Sequence, residues 1–253
     1  MIGYNNDNGL VTVQLNRPER RNALSADMIR ELGAALSRVR EDTDARCLVL
    51  TGSNGHFCAG RELGAGLDRS LQATLDYDGA YSAVFRHLRE LEIPSVAVVD
   101  GYAVAGGFTL AMGCDFVLAT EAARFGAMEM HHGFPAAVNT ALLAHLGTPR
   151  LALEWLMSGD LVEARRLYEQ GLVNRLAPDA AGLEQETAAF TGMLMARDAL
   201  ALKLAKEAFN ASREMPLAEA LAYGKNLNAL LLASGRIEEA AASFRKAREG
   251  KKR

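Results

Sequence analysis

The chain has 253 residues, 49% of them hydrophobic, and a formal net charge of −3. That length and apolar content allow one large domain or two small ones around a substantial core, and the small net charge carries no signature of nucleic-acid binding. Three cysteines, Cys47, Cys58 and Cys114, show neither metal-ligand spacing nor the even count of a disulfide set, which predicts reduced thiols in a cytoplasmic protein. The start reads as a strand instead of a basic and apolar signal segment, and no uncharged apolar run approaches membrane-spanning length, so no membrane association is expected.

In chain order, residues 10–15 alternate as a half-buried strand should, and Asn16-Arg17-Pro18 breaks the pattern. Ser25 is a candidate cap for a helix whose Met28, Ile29, Leu32, Leu36 and Val39 share one face. Residues 47–51 form a second strand, and a polar, glycine-bearing loop follows over 52–68, of the length that often carries function. Residues 71–91 read as helix, with Val84, Phe85, Leu88 and Leu91 on one side. Pro94 ends that pattern, and a β-branched run over 95–99 predicts a buried strand. A small-residue turn then leads to Gly106-Gly107 at the start of another helix. Two readings of this stretch stand: a tight turn with glycines for packing, or a helix start whose free N–H groups face a ligand.

Residues 116–119 predict a further strand, 123–135 irregular backbone, and 137–146 and 149–157 helices. Residues 161–170 continue as helix to a stop at Gly171, and 172–176 form a last short strand. From 183 to 246 the pattern is helical in three pieces, with breaks near Met215-Pro216 and Ser234-Gly235. Strands alternating with helices and then helices alone predict an α/β body, with a core over 1–195 and a helical region over 196–253.

Two glycine-bearing loops each follow a β-rich run: Gly55-His56-Phe57-Cys58-Ala59-Gly60-Arg61-Glu62-Leu63 and Ala105-Gly106-Gly107-Phe108-Thr109. Aimed at one point, a backbone N–H from each would stabilise negative charge developing on a carbonyl oxygen. Other ordered matches are Asn16-Arg17-Pro18 with Asn22-Ala23-Leu24, Gly101-Tyr102-Ala103, Cys114-Asp115, Ala123-Arg124-Phe125-Gly126, Glu129, Gly133 and Pro135, then Glu163-Ala164 and Gly171-Leu172-Val173-Asn174. With these the chain resembles the crotonase, or enoyl-CoA hydratase/isomerase, superfamily over nearly its whole length.

The resemblance implies the crotonase (ClpP/crotonase-like) fold, β-β-α turns followed by helices that mediate a homotrimer or a dimer of trimers. It implies an acyl-CoA thioester substrate, with coenzyme A as part of the substrate and no permanently bound cofactor or metal. The oxyanion N–H groups would be those of Arg61 and Gly106, binding the thioester oxygen. Of two family glutamates, one falls at Glu129 and the other position holds Thr109, leaving a single carboxylate as acid and base. The segment matching Arg20, Arg21, Ala23 and Leu24, together with Ala59, Arg61, Leu63 and Phe244, would contact the coenzyme. The family's Asp position is Glu62, and Ala105 replaces the first glycine of a triplet. His131 and His132 follow Glu129 and are read as helix-end or interface residues, with a second acid/base role as the alternative. The Arg61 side chain is read as a solvated loop arginine whose role rests on its backbone, the basic residues Arg245, Lys246 and Arg248 as candidates to reach the coenzyme from the C-terminal helix, and Lys251, Lys252 and Arg253 as a solvated tail. Alternatives within this reading are a hydratase-lyase, a thioester hydrolase, or an acyl-CoA-binding protein without catalysis. There is no P-loop and no dinucleotide fingerprint.

Overall fold

The computed structural model describes residues 1–62 and 70–237. Leu63, Phe244 and the basic residues from Arg245 to the end lie outside them. Within Met1–Ala199, a six-stranded sheet forms the body. Its strands are β1 (Ile2–Asp7), β2 (Leu10–Leu15), β3 (Cys47–Gly52), β4 (Ser95–Val99), β6 (Phe116–Thr120) and β9 (Arg175–Ala177), in that spatial order. The β1–β2 pair is antiparallel through an Asn8-Gly9 turn with both residues at positive φ, the conformation Asn-Gly hairpins favour. All later pairs are parallel. Leu48, Val49 and Leu50 of β3 are all buried, as expected of a parallel strand covered on both faces.

Helix α1 (Ala26–Glu41) starts where Ser25 Oγ accepts from the Met28 N–H at 3.2 Å, and its Met28, Ile29, Leu32, Leu36 and Val39 are all buried. Each such side chain stabilises the fold by about 1.5–3 kcal/mol. Helix α2 (Leu71–Glu90) packs beside α1 and buries Tyr81, Val84 and Leu88. Phe85 is only partly buried and meets Tyr81 edge-on. Helix α3 (Gly106–Met112) is buried at every residue.

A second, three-stranded sheet crosses the stretch read as turn and irregular backbone. Its strands are β5 (Tyr102–Val104), β7 (Arg124–Gly126) and β8 (Val162–Glu163). Two isolated parallel bridges hold the loop of residues 55–62, Cys58 with Ala103 joining it to β5 and Leu24 with Arg61 joining it to the turn of residues 17–24. Strands this short, among alanines and glycines, leave no periodic trace in the sequence. Residues 128–132 form a short 3₁₀ helix. Helices α4 (Ala137–Leu146) and α5 (Pro149–Ser158) follow as expected. Residues 162–163 pair with β7, so α6 (Ala164–Glu169) starts later than its pattern suggests. The last strand is β9, not 172–176: the Leu172 and Val173 N–H groups are turned to Leu167 O, so those residues cannot join the ladder.

Helix α7 (Ala180–Met195) is capped by Asp179 and packs on β3, β6 and β9. The expected single helix beyond 183 is interrupted at 196–198, before α8 (Ala199–Ser212). Arg46 causes this break: its guanidinium donates to Met195 O at 3.3 Å and Arg197 O at 2.9 Å, carbonyls a continuing helix would use. The second compact unit begins at Leu200 and contains most of α8 and α9 (Leu217–Ala233), followed by a turn at Ser234-Gly235. Neither α8 nor α9 has a buried residue. No helix among the described residues is long and apolar enough to cross a membrane.

Candidate active site

The first wall is built from Asn22. Its backbone is left-handed (φ 58°) and its side chain is fully buried. The amide donates to Ser53 O at 3.0 Å and His56 O at 2.7 Å, while its oxygen accepts from the Arg17 N–H at 2.9 Å and from Ser53 Oγ at 3.2 Å. Every hydrogen-bonding capacity of that amide is used, which fixes the turn of residues 17–24 against the loop of residues 53–60. The bridge then forms: the Leu24 N–H donates to Gly60 O at 2.7 Å and the Glu62 N–H to Leu24 O at 3.0 Å. In a parallel bridge of this register, the intervening Arg61 N–H points the other way.

It points toward α3. A methyl group built on Gly106 would lie 3.3 Å from Arg61 N, and one built on Gly60 would lie 3.2 Å from Gly106 N. The two loops therefore meet backbone to backbone, which requires glycine at both positions. Gly107 is pressed still harder, since a methyl group there would stand 2.2 Å from Cys58 O. Gly106 is the first residue of α3, so its N–H has no intrahelical acceptor. Among the described residues, neither the Arg61 nor the Gly106 N–H meets an acceptor. Two free main-chain donors side by side are suited to a single oxyanion.

Ala105, which precedes them, has φ 49° and ψ −126°, a region that disfavours any side chain and costs about 1–3 kcal/mol. Its carbonyl accepts from the Phe108 N–H at 3.0 Å and the Thr109 N–H at 3.3 Å. It also accepts from Asn139 Nδ2, on α4, at 3.0 Å. The Thr109 hydroxyl donates to Asn139 Oδ1, and both side chains are 1% exposed. Thr109 is thus engaged inside the protein. Sequence reading did not single out Asn139, one of three polar residues, with Thr140 and His145, in a mainly apolar helix.

Tyr81 closes the site from α2. Its hydroxyl donates to Gly106 O at 2.7 Å, and burial raises its pKa so that it remains a donor. The Arg61 guanidinium lies 4.8 Å from the Tyr81 ring centroid and 5.4 Å from that of Tyr77, and it pairs with Asp78. Arg61 is therefore a packed and paired side chain, which corrects the reading of a solvated loop arginine.

Glu129 lies in the 3₁₀ turn after β7, half-buried, with Oε2 buried and without a hydrogen-bond partner. Burial pushes its carboxyl above the ordinary value of 4.5, against the opposing pull of its own N–H, of Arg61 and of His132. Glu129 and Arg61 also both act electrostatically on Tyr81, so the carboxylate and the donor turn share one neighbourhood. His131 turns away to Asp160 at 3.6 Å and is exposed, as a helix-end residue. His132 is exposed but within the field of Glu129. Glu62 is held by Arg17 at 2.7 Å. Cys58 is no nucleophile, because burial pushes its thiol up to about 12. All three cysteines are buried.

Arg20 and Arg21 are exposed beside the first wall, and Ala23 and Ala59 are half-buried there, joined by the Ala59 N–H donating to Arg21 O at 3.0 Å. The Leu24 side chain is wholly buried, so its face toward any ligand is main chain. No group of three His, Cys, Asp or Glu residues among the described residues is arranged to hold a metal.

The sequence profile of the enoyl-CoA hydratase/isomerase family matches residues 5–251. The mitochondrial enoyl-CoA hydratase of Pongo abelii is 35% identical over 89% of this chain and 76% of its own. The 2,3-dehydroadipyl-CoA hydratase of Escherichia coli is 34% identical over 93% of this chain and 91% of its own. The crystal structure of an enoyl-CoA hydratase from Polaromonas superposes with a TM-score of 0.89 at 29% identity, covering 96% of both chains.

Proposed function

Because this chain belongs to the enoyl-CoA hydratase/isomerase family of acyl-CoA enzymes, we propose that it transfers protons at the carbons beside a thioester, through an enolate held by the Arg61 and Gly106 N–H groups. The observation that carries this reading is the close approach of the Arg61 and Gly106 turns, whose N–H groups meet no acceptor among the described residues, in the same electrostatic neighbourhood as a buried Glu129 oxygen that has no partner among them. A polar group buried unpaired is costly, so its persistence is accounted for by a reacting ligand.

One carboxylate suffices for a double-bond shift. Glu129, ionised, takes a proton from C2 of a 3-enoyl thioester. The C–H electron pair spreads over C4, C3, C2, C1 and the thioester oxygen, where the two N–H groups stabilise it. The Glu129 acid then returns the proton to C4, giving the conjugated 2-enoyl thioester. Binding thus turns on charge that exists only after proton removal, the condition for raising turnover instead of only affinity. Burial, by raising the Glu129 pKa, makes its carboxylate a stronger base and eases removal of the C2 proton. Thr109, with its hydroxyl committed to Asn139, takes no proton in this scheme.

Coenzyme A enters as part of the substrate, its charged end beside Arg20 and Arg21 and the main chain of Ala23, Leu24 and Ala59. Subunits associate through the second unit, whose Phe209, Leu217, Leu221 and Leu230 are strongly exposed apolar side chains. A homotrimer or a dimer of trimers accounts for them, in a cytoplasmic enzyme.

The test is incubation of a panel of 3-enoyl- and 2-enoyl-CoA thioesters in deuterated water. Appearance of the conjugated thioester is expected, with C4 carrying protium where Glu129 returns the proton it took and deuterium where it first exchanges with solvent. Gain of one water without a double-bond shift would identify a hydratase instead, and free acid a hydrolase. Absence of both a double-bond shift and exchange at C2 and C4 with every bound thioester would refute the proton-transfer reading.

A further inference from the structure

The Ala105–Gly106 peptide unit joins two groups with different neighbours: its carbonyl accepts from Asn139 Nδ2, and its N–H belongs to the turn that packs against Gly60 and Arg61. A trans peptide is planar, so these two groups point in opposite directions and turn together. Whatever fixes the carbonyl fixes the donor.

We propose that Asn139 is a positioning residue for the Gly106 donor, holding the Ala105–Gly106 peptide in the orientation that presents its N–H beside that of Arg61. This rests on the oxyanion reading above. The alternative orientation is concrete. Turning the peptide over by about 180° takes Ala105 from ψ −126° to roughly +50°, which with φ 49° is the left-handed helical region, easier for alanine than the present one. The local preference of Ala105 therefore opposes the functional orientation. The turned-over peptide would forfeit the hydrogen bonds that Ala105 O accepts from Phe108, Thr109 and Asn139, and would swing the Gly106 N–H away from Arg61. Asn139 supplies the long-range part of this restraint, from 34 residues away on α4. The Thr109 hydroxyl fixes which end of the amide faces Ala105, by donating to Asn139 Oδ1 and leaving Nδ2 as the donor. Thr109, at the position where the sequence resemblance leads one to look for a second carboxylate, thus acts on the same peptide through Asn139. A donor whose own carbonyl accepts a hydrogen bond is also more polarised, which strengthens it toward an oxyanion.

The probes are butyryl-CoA carrying carbon-13 at the thioester carbonyl, and the matching thioether, which has no carbonyl. With the wild-type protein, the bound carbonyl resonance moves downfield as two donors polarise it. Asn139→Leu, of similar size but without the amide, is expected to lose most of that displacement. It should lose about 10²-fold in kcat, the effect of a lost oxyanion donor, with thioether affinity changed less than about threefold. Asn139→Asp, which still accepts from Thr109 but when ionised cannot donate to Ala105 O, should behave as Asn139→Leu. A wild-type carbonyl displacement and kcat in either folded variant would overturn the proposal. If the wild type itself shows no displacement, the oxyanion reading fails, a result distinct from failure of the Asn139 assignment. Should both Asn139 variants fail to fold, Asn139→Ser, whose shorter side chain stays polar but falls short of Ala105 O, decides the matter: a reduced displacement supports the proposal and an unchanged one overturns it, Thr109→Val being no substitute because the Thr109 hydroxyl also lies 3.4 Å from Ala105 O.

Discussion

Replacing Glu129 by glutamine separates chemistry from stability, because the two should move in opposite directions. Glutamine keeps the reach and shape of the side chain but cannot take up a proton. General acid–base catalysis contributes ~10²–10⁴-fold, so at ~1.4 kcal/mol per factor of ten the barrier should rise by about 2.7–5.5 kcal/mol. Stability responds otherwise. Burial raises the Glu129 pKa in the folded protein above the ordinary 4.5. A raised value means that the folded state holds the proton more tightly than the unfolded one. Its stabilising contribution is therefore present below the unfolded value and lost as pH rises through the folded one. Above that window the folded protein carries a half-buried charge with one oxygen unpaired, a cost glutamine does not have. Glu129→Gln should thus lose at least a hundredfold in kcat while its Tm at neutral pH rises, and the Tm difference should shrink as the pH is lowered toward the ordinary carboxylate range. Turnover on the best acyl-CoA and thermal melts across pH check both halves. The wild-type kcat/KM should fall on the acid side at a pH above 4.5, as the base is protonated. Near-normal turnover in the variant would move the proton to another group, with His132 the nearest candidate. A Tm that drops at neutral pH would refute the burial argument.

Arg61→Ala should leave the N–H donor in place but remove a cation that favours ionised Glu129, so the acid limb should move to higher pH, seen in a pH–rate profile. Arg61→Pro deletes the donor and should abolish turnover in folded protein. Gly107→Ala should destabilise severely, because the added methyl group meets the rigid main chain of Cys58, and a denaturant melt reads this directly. Sedimentation at micromolar concentration should show a trimer or hexamer, and a monomer would contradict the role given to the exposed α8 and α9 side chains.

The legible parts of the fold were those written in periodicity. The stripe from Met28 to Val39 and the unbroken apolar run of β3 each state their burial directly. β5, β7 and β8 were not legible, since two- and three-residue strands are specified by their partners and not by a repeating pattern. The glycines of the site were readable as residues, and their reason emerged only in space, where Gly60 and Gly106 admit each other's loops. Asn139 and Tyr81 were illegible as site residues because each acts on a peptide far along the chain, Asn139 on Ala105 and Tyr81 on Gly106. The partnership of Arg61 with Asp78 likewise depends on where α2 lies.

The clasp of Arg46 on the end of α7 bears on the order of events during folding. It links positions separated by 149 and 151 residues, at a boundary that carries no glycine or proline. Closing so long a loop is entropically costly and follows assembly of the intervening sheet. The contribution of Arg46 to ending α7 is therefore a late one, made only once β3 and α7 have come together.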